Sequence, residues 1–420
     1  MVLPLREKEH LADTFGTSYT NSSMKQYLPI IAIIIGTACT PSSTDQPPSA
    51  ANDRVEEVIQ VVKDQYAPDK RVAVFTVEAH QQDTSVVLTG ETDNPKAKRA
   101  LLQHLQERNI AFVDSISTLP DALLGEDTLG VVTISVANIR SQPKHSGELA
   151  TQATMGTPLR LLKREGDWHL VQTPDKYISW MQGSFVPMDT TAYEAWQAVD
   201  KLIFTTPYGF AYQDETFTGT VSDLVMGNVM ALKGENRVAY WVKFPDGREG
   251  YVPKDEATPF DEWVASAEAT EESLVSTAEQ LMGVPYLWGG TSSKGVDCSG
   301  YTKTIYFMNG QVLPRDASQQ VHAGELVDEE KNFDQLRPGD LLFFGRAATD
   351  STRERVTHVG MWIGNNEFIH APGLEAHVRV SSIDSQADNY DEFNLNRYLR
   401  TQRMINSRKD IIALRDVKLF

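Results

Sequence analysis

The segment from Thr357 to Ala371 leaves a folding chain few options. Val359, Met361 and Ile363 alternate, Gly364-Asn365-Asn366 reads as a turn, and Glu367-Phe-Ile-His-Ala371 returns. A three-residue loop pairs 363 with 367, which puts His358 and His370 on one face as diagonal neighbours. Whatever fold contains this hairpin must carry a sheet that presents two imidazoles side by side.

A nucleophile lies upstream. Cys298 sits in Gly-Val-Asp-Cys-Ser-Gly at 295–300, and the residues after it place Tyr301, Ile305 and Met308 on one helical face, with Gly310 as the stop. Asp297 is then the N-cap. A thiol at a helix N-terminus gains from unpaired N–H groups and the macrodipole, both of which favour the thiolate. Cys298, His358 as base and His370 as its orienter form the minimal set for a cysteine hydrolase. Taken alone, these residues also fit a blander account. An isolated cysteine is commonly a small buried hydrophobe, and a strand histidine is commonly half-exposed.

The surrounding sequence decides between the two. Leu281-Met-Gly-Val-Pro-Tyr-Leu-Trp-Gly-Gly290, Asp-Cys-Ser-Gly at 297–300, Leu-Pro-Arg-Asp-Ala-Ser-Gln-Gln at 313–320, Arg-Pro-Gly-Asp-Leu-Leu-Phe-Phe at 337–344, Thr-His-Val-Gly-Met-Trp-Ile-Gly at 357–364 and Phe-Ile-His-Ala at 368–371 resemble, in this order, the NlpC/P60 family of cell-wall cysteine peptidases. The resemblance implies a papain-like α+β domain with a Cys298-His358-His370 triad, and a thioester acyl-enzyme follows from such a nucleophile. It also implies that Tyr286 lies beside the nucleophile and helps polarise the scissile carbonyl, while Trp288 borders the substrate. The Arg315-Asp316 pair reads as an internal bridge of structural use.

The chain's 420 residues exceed one catalytic domain. Lys+Arg 39 against Asp+Glu 57 gives a net charge of −18, which disfavours nucleic acid and points to a peptide or small ligand. From 54 to 124 the periodicities describe a small α/β module that weakly resembles BON-type modules. It has a helical stripe at Val55, Val58, Ile59 and Val62, strands at 72–77, 86–89 and 110–116, and a second helix over 97–105. Short strands broken by Gly, Pro and Asp suggest β-barrels, and a faint repeat with a Pro-Asp turn resembles bacterial SH3 domains at 131–189 and 204–260, joined by a helix over 191–202. The catalytic domain is expected over 263–400, opened by a helix that Thr270 caps. No phosphate loop, dinucleotide fingerprint or metal-ligand spacing is present, so neither a cofactor nor a metal is expected.

Two such barrels ahead of an NlpC/P60 domain resemble the γ-D-glutamyl-L-diamino acid endopeptidase branch, which acts on cell-wall (peptidoglycan) peptides with a free N-terminal L-Ala. A free amine needs fixed acceptors. The resemblance offers Asp297 and Glu148 for that task, with Ser299 and Tyr177 as neighbours and Trp180 as the alternative aromatic. Two other readings stay open: a different amidase or acyltransferase on the same scaffold, and a non-catalytic wall-binding lipoprotein. At the N-terminus, Met24-Lys-Gln-Tyr, the apolar run Leu28 to Ile35, and Gly-Thr-Ala-Cys39 resemble a lipoprotein signal over 1–38. Translation would then begin at Met24, Cys39 would carry the lipid that fixes the chain to the bacterial envelope facing the periplasm, and 39–53 would be a flexible tether. A monomer is expected.

Overall fold

The computed structural model describes residues 50–420 apart from 83, 84, 374 and 375. The signal segment, Cys39 and most of the tether therefore lie outside the described residues. Helix α1 (Ala50–Tyr66) starts inside the expected tether and buries Val55, Val58, Ile59 and Val62, a stripe at helical spacing. Helix α2 (Pro95–Glu107) begins with a proline in its first turn and is capped by the Asn94 side chain, which accepts from Lys96 N at 3.0 Å. It forms the crossover between strands Ser85–Thr92 and Phe112–Thr118, which pair in parallel, while Glu78–Gln82 adds to the other edge antiparallel.

The strand expected over 72–77 does not form; only Phe75 bridges, to Thr92. The segment is used for docking instead. Arg71 O accepts from Ile178 N at 2.6 Å, and Val74 packs on Leu119, Leu162, Leu170 and Ile178. Burial against a neighbouring sheet has overridden local β-propensity.

Two seven-stranded sheets follow. The first runs, in spatial order, Phe185–Met188, Leu129–Val132, Pro158–Glu165, Trp168–Gln172, Ile178–Gln182, Val136–Arg140 and Leu149–Thr154. The second spans Lys201–Phe204 to Ala257–Pro259. The connecting helix α3 (Thr190–Ala198), capped by Asp189, is shorter than expected, because Leu202, Ile203 and Phe204 form a fully buried strand of the second sheet.

Helix α4 (Phe260–Ser266) leads to helix α5 (Glu271–Gln280), which opens on a capping box between Thr270 and Ser273. Helix α6 (Cys298–Met308) and the single turn α7 (Ala317–Gln320) complete this part. A six-stranded sheet carries Leu341–Arg346, Arg355–Gly364, Glu367–His370 and Arg379–Ser382 as successive neighbours, all antiparallel. Tyr301 and Ile305 of α6 share one core with Leu341, Phe343, Val359, Met361 and Ile369. Full burial of a side chain such as Ile305 contributes roughly 1.5–3 kcal/mol, so this core fixes α6 against the sheet.

The histidine hairpin turns more tightly than expected. Met361 opposes Ile369, as a three-residue loop requires, but a bulge after Trp362 brings Gly364 opposite Glu367. Asn365 and Asn366 alone make the turn, at φ 52° and 62°. The phase of the strands is unchanged, so the two histidines still share a face. Because a β-branched residue resists the left-handed conformation, Asn366→Val is expected to cost about 1–2 kcal/mol in urea denaturation, with Asn366→Gly close to neutral.

Candidate active site

Asp297 positions the nucleophile. Its side chain accepts from Gly300 N at 2.7 Å, which caps α6 and makes Cys298 the first helical residue. Only glycine fits at 300, since an added Cβ would lie 1.9 Å from Gly290 O. Gly289 N donates to the other carboxylate oxygen at 2.9 Å. Arg315, 1% exposed, then pairs bidentately with Asp297, from Nη2 at 2.6 Å and Nη1 at 3.1 Å.

Cys298 is buried, and the backbone N–H groups of Val359 and Ser299 favour its thiolate. Burial, followed by the neighbouring Asp297 charge, pushes the thiol up to about 12, while those N–H groups and Arg315 act in the opposite sense. Cys298 and Val359 share one core, which sets the cysteine beside the strand that carries His358.

His358 Nε2 lies 2.8 Å from His370 Nδ1, and His370 Nε2 lies 3.0 Å from Ser381 Oγ. Asp391 Oδ2 is 3.9 Å from that same His370 nitrogen. Tautomers follow from what each nitrogen must do. With His370 protonated on Nε2 and donating to Ser381, its Nδ1 accepts from His358 Nε2–H. His358 Nδ1 is then unprotonated, whereas the reverse tautomer would place the proton there. Both imidazoles are buried, His358 stacked on Phe344 and His370 edge-to-face with Phe368. Burial drives His358 well below the ordinary histidine range and His370 down to about 3, so the pair is neutral at pH 7.

Cys298 opens into a cleft of about 560 Å³ whose lining includes Tyr286, Trp288, Glu148, Tyr177, Asp316 and Arg71. The first seven-stranded sheet supplies the wall with Glu148 and Tyr177. It is held there by close backbone approach: Gly289 at φ 79° would place a Cβ 2.3 Å from Leu149 O, and Thr291 N donates to Gln152 Oε1 at 3.0 Å. Trp288 Nε1 donates to Glu148 Oε1 at 2.7 Å. Tyr177 OH donates to Asp316 Oδ2 at 3.3 Å. Burial raises the Tyr286 phenol, with the Cys298 charge adding to the shift, so the hydroxyl remains a donor.

Several expectations need correction. Asp297 lines the cleft, but its two oxygens are taken by Arg315 and by backbone and Ser299 donors, so its charge is compensated within the protein. Ser299 is likewise committed, donating to Asp297 and accepting from Arg315 at 3.0 Å. Trp180 does not border the cleft; it packs with Leu162, Leu170 and Ile178, under Lys163. Arg315 and Asp316 are not each other's main partners, being 3.9 Å apart. Asp316 is the cleft acid that sequence reasoning missed, although its motif had been singled out. The small N-terminal module contributes Arg71 to the cleft.

Residues 283–395 match the NlpC/P60 family, and 139–184 match the bacterial dipeptidyl-peptidase SH3 domain. The gamma-D-glutamyl-L-lysine dipeptidyl-peptidase of Bacillus cereus is 29% identical over 268 residues, 61% of this chain and 77% of that protein. Dipeptidyl-peptidase 6 of Lysinibacillus sphaericus is 27% identical over 263 residues, 61% of this chain and 92% of its own. An NlpC/P60 family crystal structure from Bacillus cereus superposes with TM-score 0.57 at 23% identity, covering 66% of this chain and 99% of that one. An NlpC/P60 endopeptidase from Photobacterium damselae gives 0.51 at 14% identity, over 87% and 93%. At these identities the two structures speak to fold alone.

The neutral histidine pair carries a pH signature. An unfolded histidine titrates near 6.5, whereas folded His370 titrates near 3, so between these values only the unfolded chain binds the proton. Stability should therefore fall as pH drops through about 6.5, by about 1.4 kcal/mol per pH unit for each such histidine. Urea midpoints at pH 5, 6 and 7 check this, and His370→Gln should make the slope shallower.

Proposed function

We propose, from the premise that this chain is a cysteine peptidase carrying an NlpC/P60 domain and a bacterial SH3 domain, that it hydrolyses the γ-D-glutamyl-L-diamino acid bond of cell-wall peptides with a free N-terminal L-Ala. The observation that carries this reading is the pair of carboxylates, Glu148 and Asp316, that shares the cleft with Cys298. Asp297 is neutralised by Arg315, so Glu148 and Asp316 are the acids left to meet a cation there. A substrate ammonium held by them, beside Tyr177, sets the distance from the amine to the scissile carbonyl. The names of the Bacillus and Lysinibacillus relatives agree with a dipeptide-releasing action.

The steps follow from the resting proton positions. His358 Nδ1 takes the Cys298 proton as the sulfur attacks the carbonyl carbon, and His370 accepts a hydrogen bond from the resulting imidazolium. Tyr286 OH and helix-terminal N–H groups face the developing oxyanion. The diamino acid amine leaves with the proton from His358, giving a thioester on Cys298. His358 then deprotonates water, which attacks the thioester and releases L-Ala-γ-D-Glu. Burial lowers the basicity of His358, so the resting imidazole is unprotonated at neutral pH.

Digestion of L-Ala-γ-D-Glu-diamino acid peptides with and without N-acetylation tests the reading. Cleavage confined to the free amine is expected, and equal cleavage of both would sink it. Asp316→Asn should raise KM about tenfold or more, the worth of one charge-assisted contact, while Cys298→Ala should abolish turnover.

The apolar run before Cys39 also supports export and acylation of that cysteine. Metabolic labelling with a palmitate analogue should tag the wild-type protein, and Cys39→Ser should remove the label.

A further inference from the structure

Arg71 belongs to the small N-terminal module, yet its guanidinium lies in the catalytic cleft. Nη1 donates to Asp316 Oδ2 at 2.7 Å and to Ser318 Oγ at 2.8 Å. The other edge of the fork is locked by Asp69, from Nε to Oδ1 at 2.8 Å and from Nη2 to Oδ2 at 2.7 Å. Gln319 closes the circuit: its Nε2 donates to Asp69 Oδ2 at 2.8 Å, and its Oε1 accepts from Asp316 N at 3.1 Å. The Arg71 carbonyl also accepts from Ile178 N, directly after Tyr177. One residue thus ties together the backbone beside Tyr177 and the carboxylate of Asp316.

The charges distinguish two roles for such a residue. A lone guanidinium on Asp316 would cancel the charge that attracts an ammonium. Asp69 pairs bidentately with Arg71, so the Asp69-Arg71-Asp316 set carries a net negative charge and still draws a cation. Arg71 and Tyr177 donate to Oδ2 of the Asp316 carboxylate, and Arg315 Nη1, itself paired with Asp297, stands 3.9 Å from Oδ1. Lysine could not reproduce this, because the arrangement uses separate edges of a planar fork.

We propose that Arg71 is a positioning residue for the substrate's N-terminal amine: the N-terminal module completes the amine site by holding Asp316 in place through the Asp69-Arg71-Gln319 circuit. The proposal rests on the exopeptidase reading above and assigns that module a part in substrate selection.

Steady-state kinetics of the full chain on L-Ala-γ-D-Glu-L-Lys and its N-acetyl form tests it. Arg71→Ala should raise KM for the free-amine peptide about tenfold, affect kcat less, and narrow the preference over the acetylated form. Arg71→Lys should fall between, and Asp69→Asn should act in the same direction as Arg71→Ala. Glu91→Gln is the control, since it weakens docking of the same module at Lys163, 2.7 Å away, without touching the cleft. Its KM should match wild type. Should Arg71→Ala leave KM unchanged, or should it lower KM, the proposal is overturned; the latter would make Arg71 an obstruction to the amine site. A KM rise in Glu91→Gln equal to that in Arg71→Ala also overturns it, leaving only a general docking role. Wild-type enzyme indifferent to acetylation defeats the parent reading and this one with it, a result distinct from failure of the Arg71 variants alone.

Discussion

The buried pair between Arg315 and Asp297 governs the rest of the site. Asp297 caps α6, holds Gly289 and sits beside the sulfur, so an uncompensated charge there would oppose every thiolate. Arg315 offsets part of that opposition and reaches across to Thr151 Oγ1 of the first seven-stranded sheet at 2.9 Å. Burying both ions is costly, and losing one partner would leave the other stranded at a cost of about 3–5 kcal/mol. Helix start, nucleophile and neighbouring sheet are thereby set by one guanidinium.

A division of labour among the acids of the cleft follows. Asp297 is spent on architecture, while Glu148, which accepts from Trp288, and Asp316, which accepts from Arg71 and Tyr177, are the acids proposed to meet a ligand. The histidines show the same economy on the opposite side of the sulfur. The hairpin sets the two rings within hydrogen-bond distance, and burial beside Phe344 and Phe368 favours their neutral forms.

Local and periodic features were readable from the sequence. The cap at Asp297, the helix ending before Gly310, the cap at Thr270 and the phase of the histidine hairpin all follow from patterns a few residues long. The errors arose where long-range contacts decide. The strand expected over 72–77 is pulled onto the first sheet, and the helix expected to run to 202 gives way to a buried strand. Arg315 and Asp316 are adjacent in sequence and therefore looked paired, yet each turns to a partner from a distant segment. Arg71 carried no local signal at all, since its meaning depends on a residue 245 positions away.

That separation bears on when the site comes into being. Domains of a growing chain tend to fold from the N-terminus onward. Arg71 and Glu148 are in place long before Asp316, His358 and His370 emerge, so the acids, the base and the nucleophile converge only in the last stage of folding. A partly synthesised chain holds a thiol and half a cleft, without Asp316 and the two histidines. Hydrolytic competence is in this sense a readout of completeness, built into the order in which distant segments meet.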